Sequence, residues 1–413
     1  MIIQSVFGLV AFIFFAWTLS ENRRQIPYKT IIAGITIQIL IGTLLLKSSF
    51  FRNLFISLNH VILSLEAATT AGTTFVFGFL GGGDLPFTEK TPGSSFILAF
   101  RSFPLVLVIS ALSSLLFYWR ILPFVINGLS RMLKKTMNLG GAEGLGVAAN
   151  IFVGMVEAPL LIRPYLSKMT RSEIFTLMTC GMATIAGTVM VLYASILKGT
   201  IPDIMGHILT ASIISAPAAI VVSKTMIPET CRPTSGEIYP SGKVISAMDA
   251  LTKGTIQGIQ LLINIIGMII VLVACVHLIN IIIGLLPEIN GQPITLQGIL
   301  GLLMAPVAWL MGIPWDEAIT AGSLLGTKTI LNEFIAYIDM SHLPPGVLSE
   351  KSLIIMTYAL CGFANPGSLG IMIGGLGSIA PDKRNEIISL GFRSIIAGTI
   401  ATCMTGAIAG IVS

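Results

Sequence analysis

Charged residues are scarce in this chain of 413 residues: only 10% are Asp, Glu, Lys or Arg, while 54% are hydrophobic and the mean hydropathy is +0.90. Soluble globular domains carry about 25% charged residues. The composition therefore excludes a soluble protein and predicts an all-α, polytopic membrane protein. The net charge of +5 needs no nucleic acid to explain it, because the basic residues mostly flank apolar runs, where they set the orientation in the membrane.

Cysteine and histidine are also scarce, with five and four residues respectively. The cysteines show neither metal-ligand spacing nor a disulfide framework, and the histidines are dispersed along the chain. The sequence also lacks the Gly-x-Ser-x-Gly motif that exposes a nucleophilic serine in hydrolases. We therefore expect neither an enzyme nor an organic cofactor.

Two apolar segments bounded by glycine each hold one carboxylate. Glu157 follows Asn150-Ile-Phe-Val-Gly-Met-Val, and Glu333 follows Gly326-Thr-Lys-Thr-Ile-Leu-Asn. A carboxylate at membrane depth costs roughly 2.5–3.5 kcal/mol on insertion scales, so it persists mainly where it contacts a substrate, an ion or a partner. Both glutamates are therefore predicted binding-site residues. The alternative for Glu157 is an ion pair with Arg163.

Eight apolar runs predict membrane-spanning helices. They cover residues 1–19, 30–46, 96–119, 172–198, 205–226, 256–286, 352–378 and 387–412. The first run has no charged leader and no clear cleavage site, so it is interpreted as a helix rather than a signal peptide. The segments 141–165 and 317–340 hold the glutamates and are too polar or too short to cross as straight helices, so we expect re-entrant hairpins there. Residues 47–55 predict a helix at the membrane interface.

Basic residues at the ends of the runs predict the orientation, because Lys and Arg favour the cytoplasmic side. They place the opening of the first hairpin inside, the opening of the second outside, and both termini outside. Hairpins of opposite orientation indicate inverted repeats. The chain then divides into N-terminal helices with an interfacial segment (1–95), a first repeat (96–230) and a second repeat (231–413), and each repeat holds one hairpin and one broken helix.

The runs 172–198 and 352–378 carry helix-breaking residues halfway along. Thr176, Cys180, Gly181 and Ala183 of the first recur 181 positions later as Thr357, Cys361, Gly362 and Ala364 of the second. Glycines surround Thr184 in the first run, and Pro366 in the second cannot donate a backbone hydrogen bond. Unwinding would free carbonyl groups and half-helix ends to bind a cation and a polar solute, as in transporters built from inverted repeats. The alternative is a kink that serves packing alone.

Residue types near these breaks favour two kinds of ligand. Asn332 and Glu333 suit hydroxyl groups, because a carboxylate accepts hydrogen bonds and an amide both donates and accepts them. Asn365 and Ser368 would share a helical face, either to bind the same solute or to cap the half-helix after the break. If the tip of the first hairpin meets the first break, four residues would present an amide oxygen, a hydroxyl and carbonyls to a hard cation. These are Asn150, Val153, Thr184 and Ile185.

Taken together, these motifs resemble the concentrative nucleoside transporter family. The resemblance is carried by Val76-Phe-Gly-Phe-Leu80, by residues 150–166, by Gly326-Thr-Lys with residues 332–337, and by Cys361-Gly-Phe-Ala-Asn365. It implies eight transmembrane helices, two re-entrant hairpins, two broken helices and a homotrimer in the multi-pass setting of a bacterial inner membrane. The implied partners are a nucleoside substrate and membrane lipid, without nucleic acid.

The resemblance also implies roles for single residues. Those facing the nucleobase would be Gly154, Met155, Val156, Glu157 and Val189, and those holding the ribose would be Glu333, Asn365 and Ser368, with Phe363 lining the pocket. Asn150, Val153, Thr184 and Ile185 match the family's sodium site.

Five positions refine the implied function. Asn150 favours sodium as the coupling ion, because proton-driven members tend to lack it. Met155 together with Thr188 and Val189 resembles the residues that purine-preferring members of the family carry at these positions. Val156 departs from the family, which usually has threonine or serine there. The leading interpretation is a sodium-coupled symporter that imports nucleosides, preferring purines, by alternating access. The alternative is a proton-coupled or broadly selective nucleoside transporter, and a channel or an intramembrane enzyme is least favoured.

Overall fold

The computed structural model describes residues 2–89, 95–197, 199–236, 244–287 and 294–413, apart from the side chains of 49, 50, 52–59 and 62. Within these ranges the regular secondary structure consists of α-helices and two short 3-10 helices, Gly78–Gly81 and Pro381–Lys383. The predicted all-α class is confirmed.

The helices of the first half are α1 (Ile2–Thr18), α2 (Tyr28–Lys47), α3 (Ser49–Phe77), α4 (Leu98–Arg101), α5 (Leu105–Tyr118), α6 (Ile121–Met137), α7 (Gly141–Asn150), α8 (Glu157–Leu160), α9 (Arg163–Leu166), α10 (Arg171–Ala183), α11 (Gly187–Leu197) and α12 (Ile204–Met226). Those of the second half are α13 (Ala247–Ile283), α14 (Leu296–Leu310), α15 (Trp315–Ile330), α16 (Glu333–Ser341), α17 (Glu350–Leu360), α18 (Pro366–Ile379) and α19 (Arg384–Val412).

Each of the eight predicted runs is occupied by helix, although two differ from the prediction in their bounds. In the described part of the chain, six helical stretches are long and apolar enough to cross a membrane, or seven if α14 and α15, bent by 118°, form one span. Two predicted runs are not in this count. One contains α1, with 17 residues, and the other contains α17 and α18, with 11 and 14 residues, so each helix is shorter than the 18 residues that the count requires. The third run is split at Pro104, and the sixth begins earlier, at Ala247. The count of eight spans stays a prediction.

Three helices lie where the sequence pattern predicted none or only a short interfacial piece. The helix α3 runs for 29 residues through a segment expected to be mostly irregular. Its Ser, Thr and Asn residues lower the hydropathy, whereas its Leu and Ala residues are good helix formers. The helix α6 is amphipathic, and the basic residues near its C-terminal end lower its mean hydropathy. Pro123 lies in the first turn of α6, where proline is tolerated. The helix α14 is apolar, although none of the eight predicted runs covers it.

The core lies around α12 and α19. In each, 83% of the most apolar stretch is buried, against 6% in α13. The helix α13 packs on α5 through glycines: a Cβ added to Gly254 would lie 2.7 Å from the carbonyl oxygen of Ser110, and one added to Gly258 would lie 3.0 Å from Cα of Leu107. Small residues thus let the two backbones approach closely.

A charged cluster ties the loop between α1 and α2 to α10 and α19. Glu21 accepts a hydrogen bond from Arg171 at 2.9 Å and pairs with Arg393. The hydrogen bond from Arg171, helped by the positive charges of both arginines, lowers the pKa of Glu21 despite partial burial. These side chains are partly exposed, so the cluster adds little to stability.

Each predicted hairpin contains two helical arms joined by a short turn, and each predicted break separates two helices. The first hairpin runs from α7 through a turn to α8 and α9, and the second from α15 through Leu331 and Asn332 to α16. Residues 184–186 separate α10 from α11, and residues 361–365 separate α17 from α18. Hairpin orientation, the repeats and the domain boundaries stay predictions.

Candidate functional site

The tip of the first hairpin contacts the first break, which is the meeting on which the predicted cation set depends. The amide of Gly187 donates to the carbonyl oxygen of Phe152 at 3.0 Å. Gly154 has φ +106°, a conformation that glycine adopts without strain, and a Cβ there would lie 2.9 Å from Cβ of Ala186. Glycine at 154 and 187 therefore lets the hairpin backbone lie directly against the break.

Asparagine caps fix the starts of two helices beside the second hairpin. Asn365 Oδ1 accepts the amide of Ser368 at 2.8 Å at the start of α18, and Asn332 Oδ1 accepts the amide of Ile335 at 2.9 Å at the start of α16. The capping alternative for Asn365 is thus present. It does not exclude a binding role, because Asn365 Nδ2 also donates to Glu333 Oε2 at 3.2 Å.

Four helices begin around one cavity. The helices α8 and α16 begin at Glu157 and Glu333, while α11 and α18 present Thr188 and Ser368 from their first turns. Free amide groups give a helix N-terminus a partial positive charge of roughly half an elementary charge. The nine residues of α16 therefore favour a negative charge at Glu333, whereas the four residues of α8 add little at Glu157.

The cavity between these helix starts has a volume of about 140 Å³. A single water needs about 10–15 Å³ by this measure, so the space suits an organic solute. Its walls include all nine residues predicted to bind substrate: Gly154, Met155, Val156, Glu157, Val189, Glu333, Phe363, Asn365 and Ser368. The structure thus brings the whole predicted set together, and the role of each residue stays a prediction.

The polar side of the cavity is built around Glu333, which is buried. Tyr193 donates its hydroxyl to Glu333 Oε1 at 2.6 Å, and Asn365 donates to the other oxygen. A carboxylate offers about four acceptor positions, so two remain for hydroxyl groups of a ligand. Sequence reasoning missed Tyr193, although it follows Val189 by four residues and so lies on the same face of α11.

The other side of the cavity is mainly apolar. Met155 and Val189 are buried, and Val156 packs so close to α18 that a Cβ added to Gly375 would lie 2.9 Å from Val156 Cγ1. Glu157 is exposed to the cavity that it lines, and within the described ranges it forms no ion pair with Arg163.

One wall of the cavity comes from α13 and was not predicted. It is formed by Leu261, Asn264, Ile265, Met268, Ile269 and Leu272. Their spacing of three and four residues marks one helix face. Asn264 is the signal that sequence reasoning passed over, because a polar residue within an apolar helix is costly unless it faces a cavity or a partner.

The four predicted cation ligands lie at the contact between the first hairpin and the first break. Asn150 is fully buried, and its Oδ1 has no hydrogen-bond partner among the residues that the structure describes. The Thr184 hydroxyl lies 3.5 Å from the carbonyl oxygen of Asn150 and donates to that of Cys180 at 2.8 Å. Val153 follows Phe152, and Ile185 lies two residues before Gly187, so both are near the hydrogen bond between the Gly187 amide and the Phe152 carbonyl oxygen. A buried oxygen without a donor fits a cation ligand.

Family models match most of the chain. The model described as "Na+ dependent nucleoside transporter C-terminus" matches residues 207–410, and that described as "Na+ dependent nucleoside transporter N-terminus" matches residues 7–80. A third, "Gate: Nucleoside recognition", matches residues 99–200, which contain the first hairpin and break.

Whole-length relatives match as well. The chain is 37% identical to an uncharacterized transporter of Haemophilus influenzae, over 99% of this chain and 97% of the relative. It is 36% identical to the nucleoside permease NupC of Helicobacter pylori, over 98% of this chain and 97% of the permease.

A solved protein named CNTnw shares the fold. In its inward-facing substrate-bound state it superposes with a TM-score of 0.90 at 34% identity, over 99% of this chain and 98% of CNTnw. A variant of CNTnw in an outward-facing state also gives a TM-score of 0.90 at 34% identity, over 100% of this chain and 97% of the variant.

Proposed function

The chain belongs to the family of Na+ dependent nucleoside transporters, and we propose that it imports nucleosides in symport with sodium, by alternating access and with a preference for purines. The family consists of transporters, so the expectation that the chain is not an enzyme is confirmed. The observation that carries the proposal is a cavity that joins a polar carboxylate centre to an apolar wall, as a sugar joined to a base requires.

The ribose would bind at the polar side. Glu333 would accept hydrogen bonds from ribose hydroxyls through the acceptor positions that Tyr193 and Asn365 leave open. Ser368, at the start of α18, adds a hydroxyl that both donates and accepts. Tyr193 holds the carboxylate in place, which favours binding because less conformational entropy is then lost.

The base would lie on the apolar side, against Met155, Val156 and Val189, with Phe363 lining the pocket. A flexible thioether packs against a large ring without requiring a particular hydrogen-bond pattern. Val156 offers no hydroxyl and extends this apolar surface, so a larger base gains more from it. Glu157 faces the cavity and can accept hydrogen bonds from exocyclic or ring nitrogens of the base.

Sodium would bind where Asn150 and Thr184 meet, with carbonyl oxygens of Val153 and Ile185 completing the set. The support is the chemistry of the donors, which are all oxygen, together with the unpartnered Asn150 Oδ1. Because the same contact joins the first hairpin to the break that presents Thr188 and Val189, a cation here would order the base side of the cavity. Substrate and ion binding would then be coupled through one structural element.

Alternating access would move the hairpins and half-helices against α13, whose apolar face closes one side of the cavity. Solved states of CNTnw facing inward and outward support such a movement. We retain the homotrimer, the bacterial inner membrane and the division into inverted repeats as parts of this proposal.

Competition for uptake tests the substrate class. In liposomes carrying the purified protein and an inward sodium gradient, unlabelled inosine and guanosine are expected to displace radiolabelled adenosine at lower concentrations than uridine and cytidine. Met155→Gln combined with Val156→Thr adds an amide and a hydroxyl suited to a pyrimidine edge. At about 1 kcal/mol for each of the two added hydrogen bonds, the preference should move toward uridine by roughly 30-fold.

The matched control carries the same two changes at exposed positions, Met248→Gln with Val6→Thr, and should keep the native preference. If uridine displaces adenosine at equal concentration in the unmutated protein, the pocket is broadly selective. If no nucleoside is taken up at all, the proposed function is wrong.

A further inference from the structure

The helix α15 buries a lysine that substrate binding does not use. Lys328 is 1% exposed and lies on the first arm of the second hairpin, five residues before Glu333. An ammonium group removed from water is costly unless its protons find strong acceptors. A lysine kept in such a place therefore needs a physical account.

The Lys328 ammonium is held by uncharged oxygens. Its Nζ donates to the carbonyl oxygen of Ala359 at 2.7 Å and to the Thr402 hydroxyl at 2.8 Å. Within the described ranges no carboxylate lies within ion-pair distance of this nitrogen. Ala359 belongs to the last turn of α17, where the second break leaves carbonyl groups without intrahelical donors. The ammonium therefore caps the C-terminus of the half-helix α17, where the free carbonyl groups carry partial negative charge.

Within the described ranges, the first break presents oxygens of the same kind, and no lysine or arginine donates a hydrogen bond to them. There the first arm of the other hairpin, α7, lies against the end of α10. The Thr184 hydroxyl lies 3.5 Å from the backbone carbonyl oxygen of Asn150, whose side-chain Oδ1 has no hydrogen-bond partner among the described residues. In each case a hairpin arm, a threonine hydroxyl and the carbonyl end of a broken helix converge. The repeated residues around Cys180 and Cys361 place the two sites at related points of the chain.

We propose that the Lys328 ammonium is a tethered cation that does at the second break what the transported cation does at the first. It would dock the second hairpin, which carries Glu333, onto α17 and α19, and so position the ribose side of the cavity. This inference rests on the proposed function. It explains why a transporter with two similar breaks would need a mobile cation at one break only.

Cation rescue tests this role. Purified Lys328→Ala is expected to bind radiolabelled adenosine at least tenfold more weakly than the native protein at saturating sodium. Because alanine leaves the ammonium position open, methylammonium chloride should restore the affinity to within about threefold, whereas choline chloride at the same concentration should not. Lys328→Met fills the same space with a neutral chain and should lose affinity without rescue. Lys351→Ala, on the partly exposed start of α17, is the matched control and should bind as the native protein does.

Native-like adenosine binding by Lys328→Ala would overturn the proposal, and so would a loss that methylammonium and choline leave equally unchanged. If Lys328→Ala does not fold, Thr402→Val tests the proposal instead, because it keeps the lysine and removes one of the two oxygens that accept hydrogen bonds from the ammonium. Its adenosine affinity should fall about three- to tenfold with the sodium half-saturation unchanged, and native affinity would overturn the proposal.

Failure of the proposed function would look different. If the native protein bound adenosine independently of sodium, sodium coupling would be wrong, yet the methylammonium comparison would still decide the role of Lys328. If the native protein bound no nucleoside, the thermal unfolding midpoint of Lys328→Ala would replace binding as the readout. A rise with methylammonium and none with choline would support the tethered cation, and equal midpoints in both salts would overturn it.

Discussion

Glu333→Gln is expected to lower the affinity for adenosine by about 10- to 150-fold while leaving the protein folded. A hydrogen bond to a charged acceptor contributes roughly 1.5–3 kcal/mol, which corresponds to that range. The amide can still accept from Asn365 through its oxygen and can donate to the Tyr193 hydroxyl, so the change removes the charge and acceptor positions for the ribose while the neighbours keep their partners. Equilibrium binding of radiolabelled adenosine to the purified variant measures the effect.

Glu350→Gln is the matched control, because it makes the same chemical change at an exposed position at the start of α17. It should bind adenosine as the native protein does. Two results would show that Glu333 does not hold the ribose: normal affinity in Glu333→Gln, or 2′- and 3′-deoxyadenosine binding to the native protein as tightly as adenosine.

Asn150→Ala is expected to raise the sodium concentration for half-maximal uptake by roughly tenfold without changing the order of preference among nucleosides. The substitution removes one of the oxygens that would hold the cation, and a lost contact of about 1.4 kcal/mol corresponds to a factor of ten. The base contacts lie elsewhere in the hairpin, at Met155 and Val156, so selectivity should persist. Initial uptake rates into liposomes over a series of sodium concentrations measure the shift.

Ser212→Ala controls for general loosening of the hairpin tip, because the Ser212 hydroxyl donates to the carbonyl oxygen of Ile151 at 3.4 Å and is not among the proposed cation ligands. It should keep the native sodium dependence. An unchanged half-saturation in Asn150→Ala, or an equal shift in both variants, would remove Asn150 from the cation site.

The candidate site was largely predictable because its predicted residues lie in the two hairpins and at the two helix breaks, and both kinds of segment carry local signals. Glu157 and Glu333 stand out in apolar surroundings, and the glycines and Pro366 mark where helices must break. Those local signals were enough to predict the two hairpins and the two interruptions, which the structure contains. All nine predicted substrate residues line one cavity because the hairpin tips and breaks meet there.

The α13 wall and the contacts of Lys328 were harder to predict. Asn264 marks a polar position within the apolar α13, but what that face meets depends on the packing of α13 against α5, where Gly254 and Gly258 permit close approach. Likewise, Lys328 meets Ala359 and Thr402, which are far from it in sequence. The sequence alone does not show which distant segments meet.

The helices α3 and α6 were not predicted for a different reason, which does not apply to α14 because that helix is apolar. Hydropathy detects helices that are surrounded by apolar contacts, whereas α6 carries polar residues along one face and α3 is interrupted by serine and threonine. Their helical state follows from propensity and packing, which a search for membrane spans does not weigh.

Uptake of radiolabelled adenosine under separately imposed gradients tests whether sodium drives nucleoside transport. Purified protein would be placed in liposomes, and an inward sodium gradient at equal pH would be compared with an inward proton gradient without sodium. We expect adenosine to accumulate above its external concentration under the sodium gradient, and only to equilibrate under the proton gradient. Full accumulation under the proton gradient alone, with none added by sodium, would contradict sodium coupling.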